Sequence, residues 1–459
     1  MTSILLPPSP PLTRPTRRVL IVSPHFPPIN APDHQRIRTA LPYLQEFGWE
    51  PHILTVYPDH VPHPQDPYLE QTLPSDLPIT RTTALPAKLT SKVGLGNVGW
   101  RCLPFFKQMG DRLLATGSFD LVFFSTTIFP VMTLGPHWKR AFNVPYVLDF
   151  QDPWRSDYHR SRVSCPPGGR LKYGITQALA RWCEPIALKQ VDHVISVSPA
   201  YPDTLRQRYS WLRDEQFTIL PFGAPEQDFA ALPNLKIRQS IFNPNDGKRH
   251  WVYVGRGGAD MAIALRALFL AIRQERDRHP ELWRSVQLHF VGTSYAPPPL
   301  AVKTIEPIAA EMGLADLVTE HPYRIPYFEA QQLLVESDAI LVVGSDDPSY
   351  TASKIYPCIL SNKPILGILH EQSSAVDILR RCQAGDVTTF NQTSSQQKLA
   401  NALRESLDYL IRVPSQTQAS TNWQAFQPYT AYEMTRRLCD VFARVGQTTE
   451  GKRQSRRMR

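Results

Sequence analysis

Two wholly apolar runs, separated by a polar stretch, place the strongest limit on how this chain of 459 residues can fold. They cover residues 339–344 and 364–369. Apolar runs of this length, without polar alternation, are typical of strands buried on both faces of a parallel sheet. Between them, the sequence predicts a loop rich in Ser, Thr and Asp and a short helix that starts near Lys354 and ends at Asn362. The stretch therefore predicts a β-α-β unit.

Similar apolar runs recur along most of the chain. Between two of them lies a predicted helix that starts near Asp33, is bent by Pro42 and ends at Gly48. With 42% apolar residues, the chain is long enough for two domains with cores of their own. The other predicted strands span residues 17–23, 49–56, 119–124, 144–149, 250–255, 286–291 and 317–320.

The net charge of +9 favours phosphate-bearing ligands or an anionic membrane surface. Zinc-finger spacing, an aromatic RNA-binding run and a helix face of regularly placed arginines are all missing from the sequence, which argues against nucleic acid. The six cysteines show no metal-binding spacing, which predicts reduced thiols in a cytosolic protein. The N-terminus lacks the pattern of a signal peptide. The longest uncharged run, 121–138, predicts a buried strand with the loop and helix after it.

Two stretches carry side chains suited to chemistry. In the loop before the short helix, hydroxyls and a lysine could bind a phosphate at the helix N-terminus; these are Tyr350, Thr351, Ser353 and Lys354. The alternative for this stretch is an ordinary turn with a Ser or Thr cap. At the end of another predicted strand, residues 149–154 read DFQDPW and lie where open α/β sheets bind ligands. The alternative there is a capping carboxylate and a core tryptophan.

Three segments resemble the family 4 glycosyltransferases. They are SKIYPCILSNKPILGIL at 353–369, VLIVSPHFPP with the helix and strand after it, and DFQDPW, which is similar to the DFRDPW run of one branch. The resemblance covers nearly all of residues 17–445. It implies the α/β GT-B fold, in which two doubly wound, Rossmann-like domains face each other across a cleft. It also implies strands at 191–199 and 217–223.

The resemblance gives a domain plan. It predicts a disordered leader at 1–16, an N-terminal acceptor domain at 17–223, a linker at 224–248, a C-terminal nucleotide-sugar domain at 249–423, helices at 424–445 that cross back to the first domain, and a basic disordered tail at 446–459.

The same resemblance assigns site residues. Arg256 and Lys354 would bind the donor phosphates with help from Tyr350, Thr351 and Ser353, and Asp152 would orient or deprotonate the acceptor hydroxyl. The implied acceptor contacts are His25, Asn30, Asp149 and Trp154.

The donor motif of this chain departs from the family pattern. Pro357 stands where the family has the ribose-binding Glu, Ser349 replaces its acidic partner, and Met261 replaces a Lys. Asp346 and Asp347 are the nearest carboxylates in sequence that could take over the ribose.

The resemblance implies a retaining transfer of a sugar from a nucleoside diphosphate sugar to a hydroxyl of a glycan or lipid-linked acceptor. The nucleotide sugar is a co-substrate, and neither a cofactor nor a metal ion is expected. Basic residues with interleaved aromatic ones cover 155–182. This stretch is either a solvated surface or an interfacial segment by which a cytoplasmic protein contacts the inner membrane face. The alternatives are a catalytically silent binding protein and a sugar-nucleotide epimerase.

Overall fold

The computed structural model describes residues 17–90, 95–155, 170–294, 296, 300–347 and 354–457, with backbone alone at 170–172 and 448–457. The described chain forms two compact units. The first unit takes its residues from 1–223 and 431–459, and the second comprises 224–430. The predicted leader at 1–16 lies outside the described residues.

The first unit is built on a parallel sheet. Its strands are β1 (Arg17–Val22), β2 (Trp49–Val56), β3 (Ile79–Thr82), β4 (Leu121–Ser125), β5 (Tyr146–Phe150), β6 (His193–Ser196) and β7 (Phe217–Ile219). Their order across the sheet is β3-β2-β1-β4-β5-β6-β7. Strands β1 and β4 are neighbours although β2 and β3 lie between them in the sequence. The edge beyond their carboxyl ends is therefore a topological switch point, where open α/β sheets bind ligands.

Helices cover both faces of this sheet. They are α1 (Gln35–Leu44), α2 (Ala87–Thr90), α3 (Val98–Ala115), α4 (Leu134–Phe142), α5 (Arg170–Leu188) and α6 (Ala200–Arg208). In β4, Leu121 and Phe123 pack in the layer that contains α1, whereas Val122 and Phe124 pack in the layer that contains α3 and α4. Both faces of the strand are buried, which explains its unbroken apolar sequence.

The second unit repeats the plan with a six-stranded parallel sheet. Its strands are β8 (Arg249–Val254), β9 (Val286–Val291), β10 (Val318–His321), β11 (Ala339–Val343), β12 (Ile365–His370) and β13 (Asp386–Phe390). The order is β10-β9-β8-β11-β12-β13, which places a switch point between β8 and β11. The helices are α7 (Glu226–Leu235), α8 (Ala262–Arg278), α9 (Pro280–Trp283), α10 (Glu306–Glu311), α11 (Tyr327–Glu336), α12 (Ile355–Leu360), α13 (Ser374–Cys382), α14 (Gln396–Arg412) and α15 (Trp423–Phe426).

A last helix, α16 (Ala431–Arg457), returns the chain to the first unit. Its Phe442 ring lies 5.3 Å from Trp49 and 5.0 Å from Phe123, measured between centroids. These contacts bury one face of the helix against β2 and β4.

The predicted α/β class with two doubly wound, Rossmann-like units is confirmed by the two parallel sheets. Three local expectations are corrected. Residues 224–248, predicted as a linker, contain α7 and belong to the second unit. Residues 424–430 also belong to that unit rather than crossing back. The basic tail, predicted to be disordered, instead continues α16 as far as Arg457.

Within the described residues, no helix is both long enough and apolar enough to span a membrane. Five of the cysteines fall in this part of the chain, and each is a buried free thiol: Cys102, Cys183, Cys358, Cys382 and Cys439.

Candidate active site

The loops after β1 and before α1 bring a histidine and an aspartate together in the first unit. Nδ1 of His25 lies 2.9 Å from Oδ1 of Asp33, and both side chains are buried. The other carboxylate oxygen, Oδ2, accepts hydrogen bonds from the Thr126 hydroxyl at 2.9 Å and the Thr127 amide at 3.3 Å. Asp33 therefore fixes the orientation of the His25 ring, because its carboxylate is held from both sides.

The electrostatics of Asp33 favour its ionised form. Burial raises the pKa of this carboxyl, but the hydrogen bond and charge of His25 outweigh that effect, so the pKa lies below its ordinary value.

Asp152 follows β5 and is exposed to solvent. Neighbouring protein atoms, which limit its hydration, and the negative charge of Asp33 raise the pKa of Asp152. The two carboxyls are therefore close enough to repel each other. A raised pKa makes Asp152 a stronger base than an isolated aspartate. We refer to His25, Asp33, Thr126 and Asp152 as the His25 cluster.

Asp149 does not fit its predicted contact with an acceptor. Its side chain is fully buried and lies 2.7 Å from Nε of Arg36, which is also fully buried. Arg36 in addition donates to the carbonyl oxygens of Leu220 at 2.8 Å and Pro221 at 3.2 Å. The pair ties α1 and β5 to the segment after β7, and it leaves Asp149 no surface for a substrate.

The other two predicted acceptor residues lie near the switch point. The amide of Asn30 donates to the carbonyl oxygen of Pro64 at 2.8 Å, and its half-buried side chain stays within reach of solvent. The Trp154 ring stacks on Phe129 at 5.1 Å between centroids and is half-buried. Trp154 therefore closes the apolar core while keeping one part exposed.

Arg256 follows β8 in the second unit, and its guanidinium forms a bidentate ion pair with the Asp260 carboxylate. Its two terminal nitrogens lie 3.0 and 2.6 Å from the Asp260 oxygens. The hydrogen bond from Arg256 and a further one from Ser345 lower the pKa of Asp260. A side chain at Gly258 would bring Cβ within 2.4 Å of an Asp260 oxygen, so a larger residue there would displace the Asp260 carboxylate from this position.

Lys354 immediately precedes α12, and its side chain reaches solvent. Desolvation by neighbouring protein atoms, followed by the positive charges of Arg324 and Arg256, lowers its pKa to about 8. Arg256 and Arg324 thus lie close enough to Lys354 to disfavour its protonated form at the carboxyl edge of the second sheet. We refer to Arg256, Arg324 and Lys354 as the cationic cluster.

Arg324 was not predicted from the sequence. It follows β10 and is exposed. Its Cα lies 4.0 Å from where a side chain at Gly292 would begin, and Gly292 has a φ of +73°, a conformation that glycine adopts without strain. Glycine therefore suits the backbone conformation of the turn after β9, and this turn lies beside the Arg324 backbone.

The remaining donor assignments divide into described and undescribed residues. Asp346 and Asp347 are half-buried, and the Asp346 amide donates to the Asp260 carbonyl oxygen at 2.8 Å. Both aspartates therefore lie beside the cationic cluster. Met261, at the family's Lys position, is buried against the Tyr253 hydroxyl. Outside the described residues lie Tyr350, Thr351 and Ser353.

Comparison with known proteins agrees with this architecture. Residues 34–223 match the family model described as a glycosyl transferase 4-like domain. The predicted resemblance is confirmed. No curated protein matches the sequence.

Several solved structures share this glycosyltransferase fold. HepE from Anabaena, solved with UDP-glucose, is 16% identical with a TM-score of 0.55 and covers 93% of this chain and 99% of its own. A glycosyltransferase from Rickettsia africae is 13% identical with a TM-score of 0.55 and covers 94% of this chain and 98% of its own. At these identities the likeness establishes the GT-B fold alone.

A UDP-GlcNAc 2-epimerase from Methanocaldococcus jannaschii is also similar. It is 11% identical, covers 93% of this chain and 99% of its own, and has a TM-score of 0.48. That likeness is too remote to favour an epimerase activity.

Proposed function

We propose that this protein is a retaining glycosyltransferase that moves a sugar from a nucleoside diphosphate sugar to a hydroxyl group. The observation that supports this most directly is the cationic cluster. Arg256, Arg324 and Lys354 come from three loops at the carboxyl edge of one Rossmann-like sheet, and the two arginines repel the positive charge of Lys354. A diphosphate relieves that repulsion, so the cluster is best explained as a diphosphate site.

The cationic cluster supplies the electrostatic part of the reaction. When the bond between the sugar and the diphosphate breaks, negative charge develops on the leaving phosphate oxygens. Positive charges fixed in advance stabilise that charge without reorganising. We therefore expect neither a metal ion nor a cofactor to be required, and transfer should continue in the presence of EDTA.

The donor is expected to resemble that of HepE, which was solved with UDP and with UDP-glucose. The ribose needs another acceptor of hydrogen bonds, because Pro357 cannot provide one. Asp346 and Asp347 are half-buried beside the cluster, and we assign them this role.

The His25 cluster would bind the acceptor hydroxyl. The bond from the sugar carbon to the diphosphate breaks, the bond to the acceptor oxygen forms on the same face of the sugar so that configuration is retained, and the acceptor proton moves to a base. Asp152 is that base in our proposal, because it is exposed and its raised pKa favours accepting a proton. The His25–Asp33 pair would position the acceptor beside it, with Asn30 and Trp154 at the rim.

One experiment tests the proposal. The full chain is incubated with UDP-, GDP- and ADP-sugars and a panel of glycan and lipid-linked acceptors, and the released nucleotide and glycosylated product are measured. One donor is expected to be turned over, with the product anomer matching the donor anomer. Inversion would overturn the retaining mechanism, and a new sugar nucleotide formed without acceptor would indicate an epimerase.

The second candidate is a catalytically silent binding protein. It is favoured by Met261 and Pro357, which remove two polar groups of the family's donor motif. Tight nucleotide binding without turnover of any donor would establish this alternative. For the active enzyme, we expect a cytoplasmic position with the acceptor at a glycan or at the inner membrane face.

A further inference from the structure

Helix α5 of the first unit carries an apolar face that is open to solvent. Ile175 is 43% exposed, Trp182 65% and Ile186 37%. Their spacing of seven and four residues places them within about 40° of one another around the helix axis. Large apolar side chains normally turn inward on a surface helix, so this arrangement needs an explanation.

The opposite face of α5 holds the helix to the sheet. Cys183, Ala187 and Leu188 are buried, and the Tyr146 hydroxyl donates to the Ala187 carbonyl oxygen at 2.7 Å. The helix is therefore anchored independently of its exposed residues. Changing the exposed side chains should leave its packing intact.

The exposed charged side chains of α5 and of the residue after it are all basic. Among the described side chains of α5 and the residue after it, Arg181 and Lys189 are exposed, whereas Glu184 is fully buried. The Glu184 carboxylate accepts a hydrogen bond from the Tyr209 hydroxyl at 2.7 Å and forms an ion pair with Arg208 at 3.4 Å. Its negative charge is therefore compensated inside the unit.

We infer that this face of α5 docks on an anionic membrane surface, with Ile175, Trp182 and Ile186 inserted at the headgroup boundary. A helix with apolar and aromatic residues on one face and cations beside them is the pattern that binds in the membrane interface. Tryptophan prefers that depth, because its ring is apolar and its N–H is polar. Anionic headgroups attract the flanking cations.

A protein partner fits this face less well. Aromatic side chains bury about 150–250 Å² each, and the three exposed residues together offer on the order of 300 Å². A stable protein interface needs about 800 Å² on each partner. Binding to a membrane does not require a minimum buried area of this size, because the insertion of a few side chains adds to the electrostatic attraction of the headgroups.

This inference deepens the proposed function by placing the acceptor at a lipid surface, and it rests on that function in this respect alone. The docking itself is tested without any substrate. The full chain is sedimented with vesicles of phosphatidylcholine and phosphatidylglycerol in equal amounts, and with vesicles of phosphatidylcholine alone.

The decisive variant is Ile175→Ser/Trp182→Ser/Ile186→Ser. Its partition coefficient onto the anionic vesicles is expected to fall at least tenfold. The matched control, Leu300→Ser/Val302→Ser/Tyr409→Ser, removes three similarly exposed apolar side chains from the second unit and should bind as the parent chain does. Circular dichroism of both variants checks that the fold is retained.

Four outcomes would overturn the inference. They are no vesicle binding by the parent chain, equal binding to neutral vesicles, equal losses in the variant and control, and a parent dimer that the α5 variant converts to a monomer. Nucleotide binding, measured by calorimetry on the same variant, should be unchanged. If the parent chain binds vesicles but no nucleotide, the docking stands and the proposed function fails.

Discussion

The His25 cluster and the cationic cluster occupy corresponding places in the two units, and their charges are arranged in opposite ways. Both lie at the carboxyl edge of a parallel sheet, at its switch point. In the first, Asp33 is held by His25 and Thr126 and its pKa is lowered. In the second, like charges adjoin, and the pKa of Lys354 is lowered by its neighbours.

This difference indicates how each cluster would interact with a ligand. In the His25 cluster, Asp33 is held by hydrogen bonds from its neighbours, so a ligand there meets a fixed His25–Asp33 pair and one exposed carboxyl, Asp152. In the cationic cluster, Asp260 pairs with Arg256, whereas Lys354 is repelled by both arginines, and an anionic ligand would relieve that repulsion. We therefore expect substitutions in the first cluster to affect catalysis and those in the second to affect binding.

The largest effect should come from Asp152→Asn. If Asp152 accepts the acceptor proton, general base catalysis worth about 10²–10⁴ in rate is lost. The affinity for the nucleotide should not change, because the cationic cluster is intact. Turnover and calorimetry on the same preparation measure the two effects, with Asp76→Asn, at an exposed aspartate of the same unit, as the control. A parallel loss of nucleotide affinity would contradict the division of roles.

Asp149→Ala should have the next largest effect, on stability. It leaves the Arg36 guanidinium buried without its partner, and breaking such a pair costs about 3–5 kcal/mol. Lys354→Ala removes a repelled charge, and we expect it to leave the denaturation midpoint unchanged or higher. Urea denaturation followed by circular dichroism compares the two. If Asp149→Ala kept full stability but lost acceptor binding, its original assignment as an acceptor contact would be restored.

Single substitutions in the cationic cluster should weaken nucleotide binding at least tenfold. Hydrogen bonds to charged groups contribute about 1.5–3 kcal/mol, and we expect this loss in both Arg324→Ala and Lys354→Ala. Arg284→Ala is the matched control, since that arginine is 80% exposed in the same unit. Calorimetry with UDP, GDP and ADP gives the affinities. Unchanged affinity in Arg324→Ala would exclude that residue from the site.

The sequence predicted the buried strands well because strands covered on both faces are apolar throughout. Strands β3 and β13 were missed. Each forms one edge of its sheet, and most of their residues are only partly buried. Their sequences, ITRT and DVTTF, are therefore too polar to resemble the central strands. These two edge strands need tertiary information that the pattern of their own segments does not contain.

The candidate site was predicted in part, for a similar reason. Arg256 and Lys354 lie in motifs that the family resemblance identifies, and the positive charge of Arg256 helps to lower the pKa of Lys354. Asp33 and Arg324 carry no motif, and their roles follow from the loops that fold against them. Asp149 was misassigned because a position at the end of a strand does not reveal whether a side chain points inward or into the ligand edge.

The smallest expected effect is that of pH on nucleotide affinity. It tests whether Lys354 has a lowered pKa in the cationic cluster. With a pKa of about 8, Lys354 is mostly protonated at pH 7 and mostly neutral at pH 9. An anion binds the protonated form better, so affinity for the nucleotide should fall as pH rises, by up to about tenfold across this interval. Phosphate groups themselves titrate near about pH 6 and contribute little there.

The control for this pH effect is Lys354→Arg, whose guanidinium stays charged throughout the range. The variant should bind with an affinity that is nearly constant between pH 7 and 9, even if its geometry makes that affinity lower overall. Proton uptake on binding at pH 8 provides a second measurement, because a bound diphosphate should raise the pKa of Lys354. Calorimetry in two buffers of different ionisation enthalpy detects it. If the parent chain and Lys354→Arg share the same pH profile, Lys354 does not titrate in the site, and the contrast between a satisfied cluster and a repelling one loses its basis.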